Sequence, residues 1–426
     1  MLQDVQTHFN SIRVQAWNSQ HQLIIFRFIT LRRYGSAEWG SQRTVNLFAR
    51  IFCKLVEIVL HARTLIIHGT QVLKDPTWLL VKYQSEAQLN ASAQLAAELG
   101  LAHGQLKVAD LMTRVEEFRM RKKSQGQILS LAVIIPFRDS WKMTRDCLES
   151  LLKQNLEHIA LTICLVDNGS QKEETQLGID SLKADWDYKF PHNSAQPPTL
   201  RILRDNRPFN FSELNNAAVE FLTQPENGSA PEYLLFLNND TLFEDPDSLE
   251  RLLFFSSLSP RMGAVGCTLL YRNSNVQHLF LAPGVKLAGA HPAKGIGLNA
   301  NHAWYADPHP VPAITGALLL LSTKHFTAAK GFDTTLATSC QDLDLCLKLQ
   351  NFGLENWVLP NVFVKHFETS TRLKQNQATE ITYVCSKWGA RLAMNAYYSR
   401  ELTRWSERPA LSWGESAYPW SAVLEL

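Results

Sequence analysis

The sequence predicts an α/β fold with a mostly parallel sheet flanked by helices, and two observations carry that prediction. Short apolar runs at Ile128–Pro136, Ala160–Val166, Leu200–Leu203 and Tyr233–Leu237 alternate with segments of helical spacing. The runs are apolar throughout, as strands buried on both faces of a parallel sheet are. Each is also followed closely by a polar cluster, at the carboxyl end of the strand, where open α/β sheets place their ligands. A helical region, residues 1–127, precedes this body.

Composition bounds the function. The chain has 426 residues, 45% hydrophobic content and a net charge of +2, ordinary for a globular protein and without a global field calling for nucleic acid. The charge is uneven, because residues 1–75 hold nine Lys or Arg side chains against four acidic ones. Seven cysteines are scattered with no Cys-x-x-Cys pair, which argues against zinc ribbons and thioredoxin-type chemistry. Several lie in apolar runs, as buried free thiols do, and point to a reducing, cytoplasmic setting. The first residues are too polar for a secretory signal, and no stretch approaches the roughly 20 apolar residues that span a bilayer. A soluble or peripheral protein is expected.

In chain order, residues 1–127 read as helical, with no strand-like alternation. The richest part is Leu47–Ile67, LFARIFCKLVEIVLHARTLII. It suits a helix packed on the next domain or on a partner, or a basic amphipathic segment on the anionic inner face of a membrane. Residues 84–123 read as a polar helical pair ending in the basic run Arg119-Met-Arg-Lys-Lys123, and Ser124–Gln127 as a linker. Beyond the first strand, Ser140–Leu152 places Trp141, Cys147, Leu148, Leu151 and Leu152 on one helical face. Phe211–Phe221 is the helix before the strand Tyr233–Leu237.

Four polar clusters meet one sheet edge: Pro136-Phe-Arg-Asp139, Asp167-Asn-Gly-Ser170, Asn206–Asn210 with Asn215-Asn216, and Asn238-Asn-Asp240. One acidic turn would be an ordinary helix cap. Three acidic positions at neighbouring strand ends favour a polar crevice. There is no Gly-x-Gly-x-x-Gly after the first strand and no Walker A loop. A nucleotide bound here would need carboxylates and amides for base and ribose, and a metal to neutralise its diphosphate.

The motifs IIPFRDSWKMTRDCLESLL, LVDNGS, RPFNFSELNNAA, LLFLNNDT, GAVGCTLLY, VQH, ITGALLLLS, GFD, QDLDLCLKL and VKHFETSTR occur in that order. Over residues 128–372 the chain thereby resembles the catalytic domain of family 2 glycosyltransferases with the GT-A fold, in particular bacterial enzymes of O-antigen, rhamnan and capsule assembly. Residues 373–426 resemble, more weakly, the C-terminal tail of that subgroup. Its aromatic residues Trp405, Trp413, Tyr418 and Trp420 would pack on the core or stack on sugar.

The resemblance implies an inverting transfer from a UDP- or dTDP-linked sugar to a hydroxyl of a growing surface or lipid-linked glycan, with Mg²⁺ or Mn²⁺. Pro136 and Asp139 match the loop framing the donor's base. Asp167 matches the carboxylate that reads a pyrimidine N–H, and Asn215 lies on a helix that helps hold the nucleotide. Asp240 matches the last carboxylate of the metal motif, and hard oxygen ligands suit such ions. His366 matches a histidine completing the metal site, an ordinary structural histidine being the alternative. Arg372 would meet the diphosphate or stand as a solvated charge. Asp342 matches the general base, and a carboxylate in the first turn of a helix is held ionised by the helix dipole. Gly316 would let an acceptor sugar approach the backbone.

Two positions depart from the family. Asn238 stands where the metal motif usually has an acid, and Gln341 where many relatives have Glu. Asn238 would touch the ribose or mark altered metal geometry. Two other classes were open to this sequence. A sugar-1-phosphate nucleotidyltransferase calls for a Gly-rich loop after the first strand, which Pro136–Asp139 lacks. A scaffold keeping the fold without catalysis would not bind nucleotide.

Overall fold

The computed structural model describes residues 12–17, 23–28, 39–69, 72, 75–101, 108–190, 197–286, 288–368 and 377–412. The N-terminal region is not wholly helical. An antiparallel hairpin of β1 (Ile12–Trp17) and β2 (Leu23–Phe28) precedes α1 (Trp39–His68), α2 (Trp78–Lys82), α3 (Glu86–Glu98) and α4 (Val108–Ser124). The hairpin has a local cause: IRVQAW alternates apolar and polar residues, and LIIFRF is rich in β-branched and aromatic side chains.

The body continues with β3 (Leu129–Phe137), α5 (Trp141–Leu152), β4 (Ile159–Asp167), α6 (Glu173–Lys189), β5 (Thr199–Arg204), α7 (Phe211–Thr223), β6 (Tyr233–Leu237), β7 (Thr241–Phe243) and α8 (Ser248–Ser256). Then follow β8 (Met262–Leu270), β9 (Val276–His278), β10 (Ala282–Pro283), β11 (Gly289–Ala290), β12 (His309–Val311), β13 (Leu318–Ser322), α9 (Thr323–Ala328), α10 (Gln341–Asn351), β14 (Glu355–His366), α11 (Gln377–Trp388) and α12 (Ala390–Ala393).

A 10-stranded sheet has the order β12-β14-β8-β13-β6-β3-β4-β5, with β7 on β14 and β9 on β8. Strands β5, β4, β3 and β6 are mutually parallel, and β8 and β14 are parallel to each other. Between these groups β13 runs antiparallel to both β6 and β8. This is the mostly parallel, helix-flanked α/β sheet that the sequence predicts.

Burial on both faces explains the apolar runs. Leu131, Val133 and Ile135 of β3 join one apolar cluster, with Leu235 and Leu237 of β6 and Cys147, Leu148 and Leu151 of α5. Ala132 and Ile134 join the other, with Leu234 and Phe236 of β6, Leu214 and Ala218 of α7, and Leu345 and Leu349 of α10.

The N-terminal helices are fastened to this body by polar contacts. Glu250 on α8 is fully buried and pairs with Arg119 (2.5 Å) and Lys123 (3.0 Å) at the end of α4. The basic run thus holds a buried carboxylate. His309 of β12 stacks on Trp304 at 4.0 Å between ring centres, and its Nε2 donates to the Trp304 carbonyl (2.8 Å). Burial pushes its imidazole down to about 4, partly offset by that bond. At the other end, the Leu411 amide donates to Thr64 of α1 (2.9 Å), and Arg63 donates to the Ser412 carbonyl.

Candidate active site

Pro136 lies in the β3–β4 ladder opposite Val166 and, having no N–H, can only accept hydrogen bonds, through its carbonyl. Asp139 has φ 52°. Its Oδ1 accepts from the amides of Gln171 and Lys172 (2.9 Å each), and its own amide donates to Ser170 Oγ (2.8 Å). Asp139 therefore caps the entrance to α6 rather than the helix that follows it, and locks the β3 turn to the β4 turn. Asp167 is buried, with Oδ1 accepting from the Ser170 amide (2.8 Å) and the Arg204 guanidinium 3.9 Å from Oδ2. Beside these turns a cavity of about 330 Å³ is lined by Arg138, Asn168, Gly169, Arg204, Asn206 and Arg207. Arg207 is tied to Asp205, and its hydrogen bonds hold the Asp205 carboxyl below the usual carboxylate range.

Asp240 follows β6 and is buried. The register of β14 on β7 sets His366 opposite Thr241, which brings the imidazole to Asp240. His366 Nε2 stands 3.1 Å from Asp240 Oδ1 and 3.2 Å from the Asn238 amide nitrogen. The other ring nitrogen, Nδ1, is 2.6 Å from Gln277 Oε1. Asn239 faces away and donates to the buried Thr144 of α5 (3.0 Å). A second cavity, about 370 Å³, is lined by Trp141, Lys142, Lys172, Asp240, Arg272 and Phe367. Arg272 sits over the Phe367 ring at 4.7 Å. Gly178 on α6 lets Trp141 into this wall, since a Cβ there would lie 2.1 Å from the indole.

Asp342 is in the first turn of α10, after Cys340 in the left-handed region (φ 63°). Its Oδ2 accepts from the Gly316 amide (2.9 Å) and its Oδ1 from the Leu343 amide (2.8 Å). One residue beyond Gly316, the Ala317 carbonyl accepts from the Asn238 amide (3.0 Å). Residues 316 and 317 therefore link the Asp342 carboxylate to the strand end that carries Asp240. Gly316 itself is backed by Phe211, 3.3 Å from where a Cβ would stand. By contrast Asp344 is fully buried, bonded to Trp388 (2.9 Å), Lys348 (3.0 Å) and Lys387 (2.6 Å), and it joins α10 to α11.

Asn215 is fully buried on α7 and donates to the Phe211 carbonyl (2.8 Å), so it shapes the helix under the site. Arg372 lies outside the described residues. Gln277 and Arg272 line or support the site without having been singled out from sequence, and Trp141 was read only as part of an apolar helical face. Gln277 lies inside the VQH motif and Trp141 inside the first motif, whereas Arg272 falls in none.

The donor set around Asp240 fits a divalent ion held jointly with substrate. A carboxylate and an imidazole nitrogen face each other, while no three His, Cys, Asp or Glu side chains converge among the described residues. If these two residues held the ion, coordination positions would be left for phosphate oxygens and water, as in Mg²⁺ sites with substrate phosphates.

Comparison with known proteins gives one family match and several relatives. Residues 132–280 match the family model "Glycosyl transferase family 2". The chain is 27% identical over 277 residues to the uncharacterized protein y4gI of Sinorhizobium fredii, covering 61% of this chain and 27% of that one. It is 27% identical over 269 residues to the O-antigen biosynthesis protein RfbC of Myxococcus xanthus, covering 60% and 18%. It is 24% identical over 165 residues to the rhamnosyltransferase WbbL of Escherichia coli K12, covering 37% and 61%. The chain thus spans about a quarter or less of the first two relatives. Among solved structures, GalNAc-T7 with UDP, GalNAc and Mn²⁺ aligns with a TM-score of 0.48 at 14% identity, covering 64% of this chain and 51% of that one. Residues 132–280 of this α/β chain are thus similar to family 2 glycosyltransferases, and they carry most of the motifs that run in order through residues 128–372.

Proposed function

We propose that the protein transfers a sugar from a UDP- or dTDP-linked donor to a hydroxyl of a surface or lipid-linked glycan, with inversion at the anomeric carbon. The observation that carries this reading is the placement of two carboxylates about residues 316 and 317. Asp240 stands with His366 at the end of β6, and Asp342 is held by Gly316 next to it. The relatives named for O-antigen biosynthesis and rhamnosyl transfer support the glycan class.

Asp342 is the general base. Two amide donors, one on each carboxylate oxygen, fix its direction. It takes the acceptor's proton as that oxygen bonds to the anomeric carbon, and the bond from that carbon to the donor phosphate breaks. One displacement inverts the centre, whereas a glycosidase needs a second carboxylate as acid or nucleophile. Asp240 and His366 would hold Mg²⁺ or Mn²⁺, which when bound supplies charge stabilisation to the departing diphosphate. Arg272 and Lys172 line the cavity containing Asp240 together with Glu174, and Lys142 there is paired with Asp146 (2.8 Å). The turns tied by Asp139 and Asp167 form the nucleoside side. Arg372 remains a candidate for the diphosphate.

No described helix is long and apolar enough to cross a membrane. We place the protein in the cytoplasm, in peripheral contact with the inner membrane face through α1. Leu55, Ile58, Val59 and Ile66 of that helix are exposed, while Leu60 and Thr64 turn inward.

A donor panel tests the reading. UDP- and dTDP-sugars are incubated with lipid-linked glycan acceptors, and released nucleoside diphosphate is measured with Mn²⁺ and with EDTA. Metal-dependent release with one donor is expected. Release from no donor would favour a non-catalytic scaffold, and undiminished release in EDTA would remove the metal.

A further inference from the structure

The geometry points to Gln277 as a positioning residue that fixes the tautomer of His366 and aims its Nε2 lone pair at the Asp240 carboxylate. This assignment rests on the metal reading of Asp240 and His366.

Gln277 is buried on β9, and its side chain lies against the far edge of the imidazole. Its two ends are told apart by their neighbours. Nε2 lies 3.3 Å from the His366 carbonyl and 3.4 Å from Glu368 Oε2, and both of these only accept. The amide NH₂ therefore belongs on that side. Oε1 is left facing His366 Nδ1 at 2.6 Å. An amide oxygen cannot donate, so Nδ1 must carry the hydrogen. In the neutral ring, Nε2 is then the acceptor.

Two groups meet that nitrogen. The Asn238 amide donates to it at 3.2 Å, and Asp240 Oδ1 lies at 3.1 Å. Imidazole lone pair and carboxylate, both electron-rich, thus converge on one point, an arrangement that a cation relieves. Asn238 gives Nε2 a partner when no cation is there. Ligating histidines commonly donate their second N–H to a fixed acceptor, and removing that acceptor typically costs about 10–100-fold in metal affinity.

The test uses the full chain with Mn²⁺ as probe, in the presence of UDP or dTDP. Free Mn²⁺ is counted by electron paramagnetic resonance, and ¹⁵N shifts of the histidine ring nitrogens are read in the metal-free protein. Gln277→Leu removes the acceptor. Gln277→Glu keeps an oxygen on Nδ1–H, while its second oxygen replaces the two long bonds with unfavourable contacts to the His366 carbonyl and Glu368. Gln277→Leu is expected to weaken Mn²⁺ binding about 10–100-fold and to shift His366 away from the Nδ1–H form, with Gln277→Glu within about threefold of wild type. Both variants should melt as cooperatively as wild type. If Gln277→Glu weakens binding as much as Gln277→Leu, or Gln277→Leu leaves affinity and ring shifts unchanged, the positioning role is overturned. Failure of the underlying reading looks different: wild type and Asp240→Asn would then bind Mn²⁺ equally, or not at all.

Discussion

Replacing Asp342 by Asn tests the proposed general base with little change of shape. The wild-type carboxylate accepts two amides, from Gly316 (2.9 Å) and Leu343 (2.8 Å), on different oxygens. An Asn side chain has one oxygen, so it keeps one of these bonds and turns its NH₂ towards the other donor. Losing one such bond at a half-buried site costs about 1 kcal/mol of stability, which leaves the fold intact. The chemical cost is larger. General base catalysis contributes about 10²–10⁴-fold, or about 3–5 kcal/mol of barrier. Turnover at saturating donor and acceptor, read as released nucleoside diphosphate, should therefore fall by that factor. Nucleotide affinity should stay within about threefold, because Asp342 faces Gly316 rather than the turns of Asp139 and Asp167. Turnover within threefold of wild type would refute the assignment. A rise in nucleotide dissociation constant matching the loss of rate would move Asp342 from chemistry to binding.

Three further outcomes are expected. Glu250→Gln leaves Arg119 and Lys123 facing a buried amide and should lower unfolding free energy by about 3 kcal/mol in urea; a change below about 0.5 kcal/mol would show that the cluster is not coupled to the fold. His309 titrates near 6.5 when unfolded but at about 4 in the fold. Its contribution is complete above pH 6.5 and is lost as pH falls towards 4, about 3 kcal/mol in all; His309→Asn should flatten the melting-temperature profile between pH 7 and 4.5, and an unchanged slope would contradict this. Liposomes rich in anionic lipid should sediment the protein at low salt, and less so after Leu55, Ile58 and Ile66 are changed to Ser; a protein left wholly in the supernatant would exclude the proposed contact of α1.

The strands of the body were legible because burial on both faces leaves an unbroken apolar run, as in β3 and in β6, whose bounds Tyr233–Leu237 are those read from sequence. Asp240 was visible for the same reason, as a polar break after such a run. What remained hidden depends on partners far along the chain. Asp139 reads as a cap for the helix after it, yet the amides it accepts belong to the β4 turn. The approach of His366 to Asp240 shows only when β14 is registered against β7. Gln277 acquires meaning only through the ring it touches. The antiparallel insertion of β13 follows from pairing with both β6 and β8, which its apolar sequence LLLLS does not specify. Glu250, a carboxylate in an otherwise ordinary helix, gives no local sign that Arg119 and Lys123 wait for it.

The most direct test of the central claim is calorimetry of UDP and dTDP binding with and without Mn²⁺, in wild type and in Asp240→Asn. Binding of one nucleotide that needs Mn²⁺ and is lost in Asp240→Asn is predicted. No binding of either nucleotide at millimolar concentration, or binding indifferent to both Mn²⁺ and Asp240, would contradict the account.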